Sequence, residues 1–219
     1  AASTTIPQQN LLSVKKDALL IEGGTAFAMG WNYKDAHEGR GLNPALGIGY
    51  IHHLNSKWST QIGVQGSIIS HLNASQHIIK HINSDFGYNS IDTVVATKFL
   101  YYVTFPLRIQ YNWNSKNSIG IGCSVSHLIN GFGKMSTYHQ TADAGITDLK
   151  EWSQTGLSRG FNEWNVVISL AYRKKLSGKL NASLIPYFGL MDIKNNSFFK
   201  EAKTERDMGI QLIFGYELF

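Results

Sequence analysis

The stretch FLYYVTFPLRIQYNW, residues 99–113, decides the fold. Its odd positions, from Phe99 to Trp113, are all apolar or aromatic. The even positions from Tyr102 to Asn112 are largely polar, and Arg108 lies among them. Alternation with a period of two is the pattern of a β-strand that has one apolar and one polar face. The stretch therefore raises the question of which solvent contacts so long an apolar face.

The same alternation recurs in seven further stretches, at residues 19–33, 43–53, 58–71, 118–128, 161–173, 179–191 and 207–219. The connections between strands alternate in length. Three are short, at residues 54–57, 114–117 and 175–178, and four are longer, at residues 34–42, 72–97, 129–160 and 192–206. Outer-membrane barrels have this arrangement, with short periplasmic turns and long outer loops. We predict an all-β fold, an eight-stranded up-and-down antiparallel transmembrane β-barrel over residues 17–219, after a periplasmic N-terminal tail at 1–16.

The composition agrees with this prediction. Charged residues make up 16% of the 219 residues, below the roughly 25% of soluble proteins. The net charge is +5, but the basic residues are scattered, so we expect no nucleic-acid partner. A single cysteine excludes an intrachain disulfide. No apolar run approaches the ~18 residues of a transmembrane helix. The start at Ala1 fits removal of a signal peptide.

The polar faces indicate a barrel interior rather than a surface in water. They carry few charges and consist mainly of glycine, alanine, serine, glutamine and asparagine, which suit the narrow lumen of an eight-stranded barrel. An arginine in that lumen needs a partner, and the candidates are Glu22 and Glu217, which like Arg108 lie on the lumenal face of their strands. We predict a structural polar network in the lumen, made by Glu22, Gln61, Gln65, Tyr102, Arg108, Gln110, Asn165, Gln211 and Glu217.

Aromatic residues end the apolar faces, as the girdles of a transmembrane barrel require. We predict lipid-facing girdles that include Trp31, Trp58, Tyr111, Trp113, Trp164, Tyr172 and Phe219. A soluble lipocalin-like carrier also alternates, with its apolar face turned inward, so that alternative stays open.

Two stretches resemble a known family. YYVTFPLRIQY (101–111) resembles the Y-L-x-I-P-L-x-x-K-Y strand of the Bacteroidota outer-membrane β-barrel domain family, the PorT-like group of the porin family. Residues 161–193 resemble its late part, and the final LIFGYELF its last strand. The resemblance implies an outer-membrane barrel without a shared catalytic site. Arg108 departs from the family pattern, and Pro186 removes a ladder hydrogen bond, so we expect a bulge there.

We predict no catalytic, metal or cofactor site. His77 and His81 have a zinc spacing only if they lie on a helix, and a solvated loop explains them as well. Ser126 and His127 are neighbours in a strand and face opposite sides, so they do not form a dyad. A lipid-modifying barrel enzyme remains an alternative.

The longest connection, residues 129–160, is the expected working part. Asp148 and Glu151 are placed to cap a short helix through Lys150 and Trp152. The predicted function is that of a non-catalytic barrel in the outer membrane of a Gram-negative bacterium. It would be a structural or accessory subunit of a larger secretion, assembly or uptake complex. The predicted partners are outer-membrane lipids and other outer-membrane or periplasmic proteins.

Overall fold

Ten β-strands make up the computed structural model of the chain, which describes residues 17–32, 40–70, 74–84, 87–141, 145–158, 160–194 and 205–219. The strands are β1 (Ala18–Asn32), β2 (Arg40–His53), β3 (Trp58–Ile69), β4 (Ala74–Ser84), β5 (Gly87–Asn112), β6 (Asn117–Thr141), β7 (Gly145–Thr155), β8 (Trp164–Lys175), β9 (Leu180–Asp192) and β10 (Glu205–Glu217). Within these ranges, no helix has the length and apolar character needed to cross a membrane. The predicted tail at residues 1–16 lies outside the described residues.

Eight of the strands close into a ring. β1, β2, β3, β5, β6, β8, β9 and β10 each pair antiparallel with the next, and β1 pairs with β10 from Leu20↔Glu217 to Asn32↔Glu205. Apart from β4 and β7, which lie outside the ring, neighbours in the ring follow one another along the chain, as in an up-and-down barrel. Because closure pairs every strand on both sides, the backbone groups are satisfied without water. The eight-stranded up-and-down barrel is therefore confirmed.

The alternation of the sequence decides which face points outward. The odd positions of β5 face out, and Phe105 and Ile109 are 49% and 46% exposed, whereas Arg108 between them is 7% exposed. Ile121 on β6 and Leu212 on β10 also face outward, at 64% and 40%. A lipocalin-like carrier would bury these apolar side chains, so that alternative is wrong. A continuous apolar exterior of this size is stable when lipid covers it.

Two strands lie where the sequence predicts loops. β4 pairs with residues 87–97 of β5, and β7 pairs with residues 132–141 of β6, so β4–β5–β6–β7 form a four-stranded sheet that continues beyond the ring. We call it the outer sheet. The predicted helix around Lys150 is wrong, because residues 145–155 form β7. Its side chains from Lys150 to Thr155 are exposed on both faces, so the sequence there lacks an apolar–polar alternation.

Pro186 does not form the expected bulge but interrupts the pairing of β9 with β8. The register between β9 and β10 runs through Pro186↔Ile210 without a shift, and the irregularity lies between Arg206 and Met208. The predicted bulge at Pro186 is therefore wrong. The ladder with β8 is nevertheless interrupted between Ser169↔Tyr187 and Tyr172↔Leu184, because proline has no N–H to donate.

Candidate functional site

A chain of hydrogen bonds crosses the lumen. Gln61 on β3 donates from Nε2 to Oε1 of Glu22 on β1 at 2.8 Å, and Gln110 on β5 donates from Nε2 to Oε1 of Gln61 at 2.9 Å. Arg173 on β8 donates from Nη1 to Gln110 at 3.4 Å and from Nε to Oδ1 of Asn181 on β9 at 3.2 Å. These five side chains are buried. We call them the polar layer, because they link five strands across the inside of the ring.

The other lumenal residues predicted from the sequence lie inside the ring but do not join this chain. Tyr102, Arg108 and Asn165 are buried, and the Tyr102 hydroxyl, Arg108 Nε and Asn165 Oδ1 have no hydrogen-bond partner among the described residues. Gln65 and Gln211 are half-buried. All five line a small internal cavity of about 80 Å³. Apart from Glu217, the predicted set thus divides into residues of the polar layer and residues that line this cavity.

The expected ion pair of Arg108 is not formed. Glu217 instead accepts a hydrogen bond from Nζ of Lys175 at 2.9 Å. Glu22 is the carboxylate whose charge acts on Arg108, but its Oε1 is occupied by Gln61. Within the described residues, Arg108 therefore lies near a carboxylate without a direct contact. The sequence shows shared parity, but parity does not fix the height of two side chains along the barrel axis.

Arg173 and Asn181 were absent from the set predicted for the lumen, although both belong to the polar layer. The alternation of β8 predicts that the side chain of Arg173 points into the lumen. Asn165 and Arg173 are eight residues apart on the same face, opposite to the outward Tyr172. Asn181 carries no comparable signal, because the sequence of β9 alternates less regularly.

Glycines make room for the large polar side chains. A Cβ on Gly49 of β2 would lie 2.9 Å from Oε2 of Glu22 and 3.1 Å from Nε2 of Gln61. A Cβ on Gly122 of β6 would lie 2.6 Å from Cγ of Arg108. The alternation of small and large lumenal residues therefore has a steric cause, because a narrow barrel holds a long polar side chain only opposite a glycine.

An apolar plug lies on the outer side of the polar layer. It consists of Ile69, Leu100, Tyr102, Leu128, Phe161 and Ile193. Phe161 precedes β8, and the next residue ties this segment to the end of β9. Asn162 donates from its backbone N–H to the Ile193 carbonyl at 2.8 Å and from Nδ2 to the Asp192 carbonyl at 2.7 Å. The segment before β8 is thus fixed to the end of β9, and Phe161 joins the buried apolar cluster.

The plug and the polar layer divide the lumen. The 80 Å³ cavity lies between them, with Tyr102 from the plug and Arg108 beside the layer in its wall. A second cavity, of about 260 Å³, opens at the end with the short turns and is lined by Gln110, Arg173 and Asn181 of the layer. The two cavities share no lining residue. The polar layer thus lies between two distinct cavities.

Four of the predicted girdle residues lie together at the end with the short turns. The rings of Trp58 and Tyr111 meet edge to face with centroids 5.1 Å apart, and those of Trp113 and Tyr172 stack at 6.0 Å. Phe219 follows β10 at the same end and is 74% exposed. The structure thus assembles an aromatic girdle around this end of the ring.

The remaining two girdle residues belong to the opposite end. The ring of Trp164 lies 4.5 Å from that of His127, at the outer ends of β8 and β6. The side chain of Trp31 lies outside the part of the chain whose side chains are described.

The structure shows where the serine and histidine residues considered in the sequence analysis lie. Ser126 is buried in the lumen and bonds Thr104 at 2.8 Å, while His127 faces outward against Trp164, so the two do not meet. Residues 74–84 form β4, so His77 and His81 do not have the helical spacing that a zinc site would need. Among the described residues, no three histidine, cysteine or acidic side chains are placed to hold a metal ion.

A carboxylate anchors the start of β1. Asp17 Oδ2 accepts hydrogen bonds from the Tyr50 hydroxyl at 2.5 Å and from Nδ1 of His52 at 3.0 Å, and Oδ1 accepts one from the His53 backbone N–H at 3.0 Å. The hydrogen bond from Tyr50 is the main reason why the pKa of Asp17 lies well below its usual range.

Comparison with known proteins supports the fold. No protein-family model matches the sequence. The crystal structure of Neisserial surface protein A covers 93% of this chain and 100% of its own, with a TM-score of 0.52 and 10% sequence identity. The attachment invasion locus protein Ail of Yersinia pestis covers 93% of this chain and 99% of its own, with a TM-score of 0.40 and 12% identity. The first likeness shows the same fold.

A curated relative matches a part of the chain. The large ribosomal subunit protein uL23 of a Nitratiruptor species is 35% identical over 68 residues, which are 31% of this chain and 73% of that protein. A match of this length leaves most of the ring outside it, because the ring extends from Ala18 to Glu217. Binding to nucleic acid uses basic surfaces, whereas the exterior of this ring is apolar. The match therefore does not make the chain a ribosomal protein.

Proposed function

We propose that this chain, an eight-stranded β-barrel of the Gram-negative outer membrane, is a non-catalytic accessory subunit of a larger outer-membrane complex. The observation that carries the proposal is the outer sheet, which extends β5 and β6 beyond the ring and adds β4 and β7 at its two sides. About forty residues form this sheet, and none of them takes part in closing the barrel. A surface of this kind is suited to contact with another protein.

The edges of the outer sheet provide the mode of contact. β7 pairs only with β6, and β4 only with β5, within the described part of the chain. An edge strand presents unpaired N–H and C=O groups to which an extended segment of a partner can add. β7 has 11 residues, so its edge is roughly 35 Å long. Such an edge accommodates a complete additional strand.

The filling of the lumen by side chains argues against a transport function. The plug and the polar layer fill the ring at two levels, and the cavities on either side of the layer share no lining residue. Interiors of eight-stranded barrels are filled by side chains in general. The separation of Ser126 from His127 argues in the same way against the lipid-modifying alternative.

We also infer that the chain belongs to the PorT-like group of Bacteroidota barrels. The supporting residues are those of the strand at 101–111 and the ending Tyr187, Gly189, Leu190, Asp192 and Ile193. They lie on β5 and at the end of β9, both within the ring or directly beside it.

Two single variants test whether the β7 edge contacts a partner. Successive residues of a strand point their N–H groups to opposite sides, so one of Lys150→Pro and Glu151→Pro removes an N–H from the free edge and the other removes one that faces β6. We expect the free-edge variant to keep its outer sheet, judged by hydrogen exchange of the β6 amides. It should lose the protein that co-purifies with the wild type in mild detergent.

The controls follow from the same measurements. Trp152→Ala changes an exposed side chain of β7 and leaves the backbone edge intact, so we expect it to retain the partner. A wild-type barrel recovered alone under all mild conditions would contradict the proposal. So would a stable ion conductance in planar bilayers, or phospholipid hydrolysis or acyl transfer by the purified chain.

A further inference from the structure

The end of the barrel with the short turns is rich in lysine. Five lysines lie at this end within the described residues, namely Lys57, Lys116, Lys174, Lys175 and Lys179. The carboxylates described at this end are already engaged, since Asp17 accepts hydrogen bonds from Tyr50 and His52, and Glu217 pairs with Lys175. The other four lysines form no ion pair with a described residue. We call these four the basic rim.

The opposite end differs in its charge pattern. Lys134 lies 3.9 Å from Glu151, and Arg206 lies 3.5 Å from Asp192. Further cations and carboxylates are mixed there, including Lys98, Lys150, Lys194, Asp92 and Glu163. Within the described residues, five lysines and two already engaged carboxylates lie at the end with the short turns, whereas cations and carboxylates are mixed at the opposite end.

The basic rim lies at the level of the aromatic girdle. Lys174 is exposed and points outward from β8, two residues beyond the outward Tyr172. Lys57 directly precedes Trp58, and its side chain is exposed. Tryptophan and tyrosine settle at the level of the lipid headgroups. The amines of these lysines therefore lie where the phosphates of the surrounding leaflet begin.

The other two lysines complete the rim on the remaining turns. Lys116 is exposed in the connection between β5 and β6, three residues after Trp113. Nζ of Lys179 lies 5.9 Å from the ring centroid of Tyr216 on the outward face and donates to the Leu218 carbonyl at 3.2 Å. The rim thus includes a lysine from each of the three short connections or the strand ends beside them. Long lysine side chains can extend their amines from an apolar surface into the headgroup layer.

We propose that the basic rim binds the phosphates of anionic phospholipids in the periplasmic leaflet. The short turns of outer-membrane barrels face the periplasm, so this leaflet surrounds the rim. Each lysine near an anionic membrane surface gains electrostatic free energy, and several of them act together. Zwitterionic lipids carry a compensating positive charge and gain less. The barrel therefore selects its lipid neighbours by headgroup charge.

The test measures the lipids around the reconstituted barrel. The full chain is placed in vesicles of phosphatidylcholine with a minor fraction of pyrene-labelled phosphatidylglycerol or, in parallel, pyrene-labelled phosphatidylcholine. Energy transfer from the girdle tryptophans reports the labelled lipid nearby. At low ionic strength we expect a local enrichment of phosphatidylglycerol of roughly fivefold or more. Raising the salt concentration should reduce it, because surface charges are screened.

Two matched variants identify the residues responsible. The rim variant carries Lys57→Gln, Lys116→Gln, Lys174→Gln and Lys179→Gln, and we expect it to lose the enrichment. The control variant carries Lys98→Gln, Lys134→Gln, Lys150→Gln and Lys194→Gln at the opposite end, and we expect it to retain the enrichment. Both sets lie outside the polar layer and the plug, so heat-dependent gel mobility should show that both variants are folded.

Three results would overturn the proposal. One is equal transfer to both labelled lipids in the wild type. Another is an equal loss of enrichment in the two variants. The third is an unchanged lipid environment in the rim variant together with loss of an acidic periplasmic protein, which would assign the rim to a protein partner.

Discussion

Gln61 donates a hydrogen bond of 2.8 Å from its amide to the carboxylate of Glu22 inside the barrel. The two residues are 39 positions apart in sequence and belong to strands that do not pair with each other. Both are buried, at 2% and 8% exposure. The bond thus joins β1 and β3 across the face of β2, where Gly49 leaves the space for it.

Replacing Gln61 by leucine tests the polar layer. Gln61→Leu removes both the donor to Glu22 and the acceptor of Gln110. A buried charged group that loses its hydrogen-bond partner costs about 2–3 kcal/mol. We expect the free energy of unfolding to fall by about that amount in urea titrations of the folded barrel in micelles, followed by tryptophan fluorescence.

Gln65→Leu is the matched control for this change. Gln65 lies on the same face of β3, is half-buried and forms no hydrogen bond with a described residue. We expect a loss of less than about 1 kcal/mol. Equal losses for the two variants would mean that the polar layer contributes nothing specific.

Gly122 is expected to tolerate no side chain. A Cβ there would lie 2.6 Å from Cγ of Arg108 and 2.7 Å from the Leu107 carbonyl oxygen, so Gly122→Ala forces the strand or the arginine to move. Overpacking of this kind costs about 1–3 kcal/mol. The matched variant Gly66→Ala adds a methyl group on the exterior, 3.8 Å from its nearest neighbour, and should change stability by less than about 0.5 kcal/mol. A neutral Gly122→Ala would contradict the steric account of the lumen.

Phe161 is expected to stabilise the barrel without acting as its only barrier. Phe161→Ala empties a position that is 6% exposed in the apolar plug, and we expect a loss of about 3 kcal/mol in the free energy of unfolding. Because the polar layer still closes the lumen, the variant should show no unitary conductance in planar bilayers. Trp152→Ala, which removes an exposed ring from the outer sheet, should cost less than about 1 kcal/mol. A conducting Phe161→Ala barrel would assign the barrier to the plug alone.

Asp17 is expected to make stability depend on acid pH. Its pKa is lowered in the folded barrel, chiefly by the hydrogen bond from Tyr50, so its contribution is present above the unfolded pKa of about 3.9 and declines as the pH falls below it. We expect the difference in unfolding free energy between the wild type and Asp17→Asn to favour the wild type at pH 7 and to shrink between about pH 4 and pH 2. A difference independent of pH would exclude the carboxylate charge as its cause.

The strands that have lipid on one face and the lumen on the other were the easiest to predict from the sequence. The stretch at 99–113 alternates because successive side chains enter different media, and the same cause produced the pattern in the other strands of the ring, least regularly in β9. β4, β7 and the outer parts of β5 and β6 lie beyond the ring, so their two faces do not separate lipid from the lumen. Their sequences therefore have no reason to alternate, and they were assigned to loops.

The sequence predicted which polar residues lie in the lumen, but it did not predict how they pair. Parity placed Glu22, Gln61, Arg108 and Gln110 inside, and the structure finds them there. It did not show that Glu217 on β10 pairs with Lys175 on β8, two strands away around the ring, rather than with Arg108.

The sequence by itself determined the ring: eight strands, their order, their inward and outward faces and the ends that carry the short turns. The strands and their faces follow from a local rule, the two-residue period of a strand between lipid and a narrow interior, and the order and the ends follow from the alternation of short and long connections. Only the tertiary structure decided which polar groups meet in the lumen, that an apolar plug closes its outer half, and that the outer sheet exists. These depend on strand register and height along the barrel axis, which bring together residues tens of positions apart and leave no periodic mark in the chain.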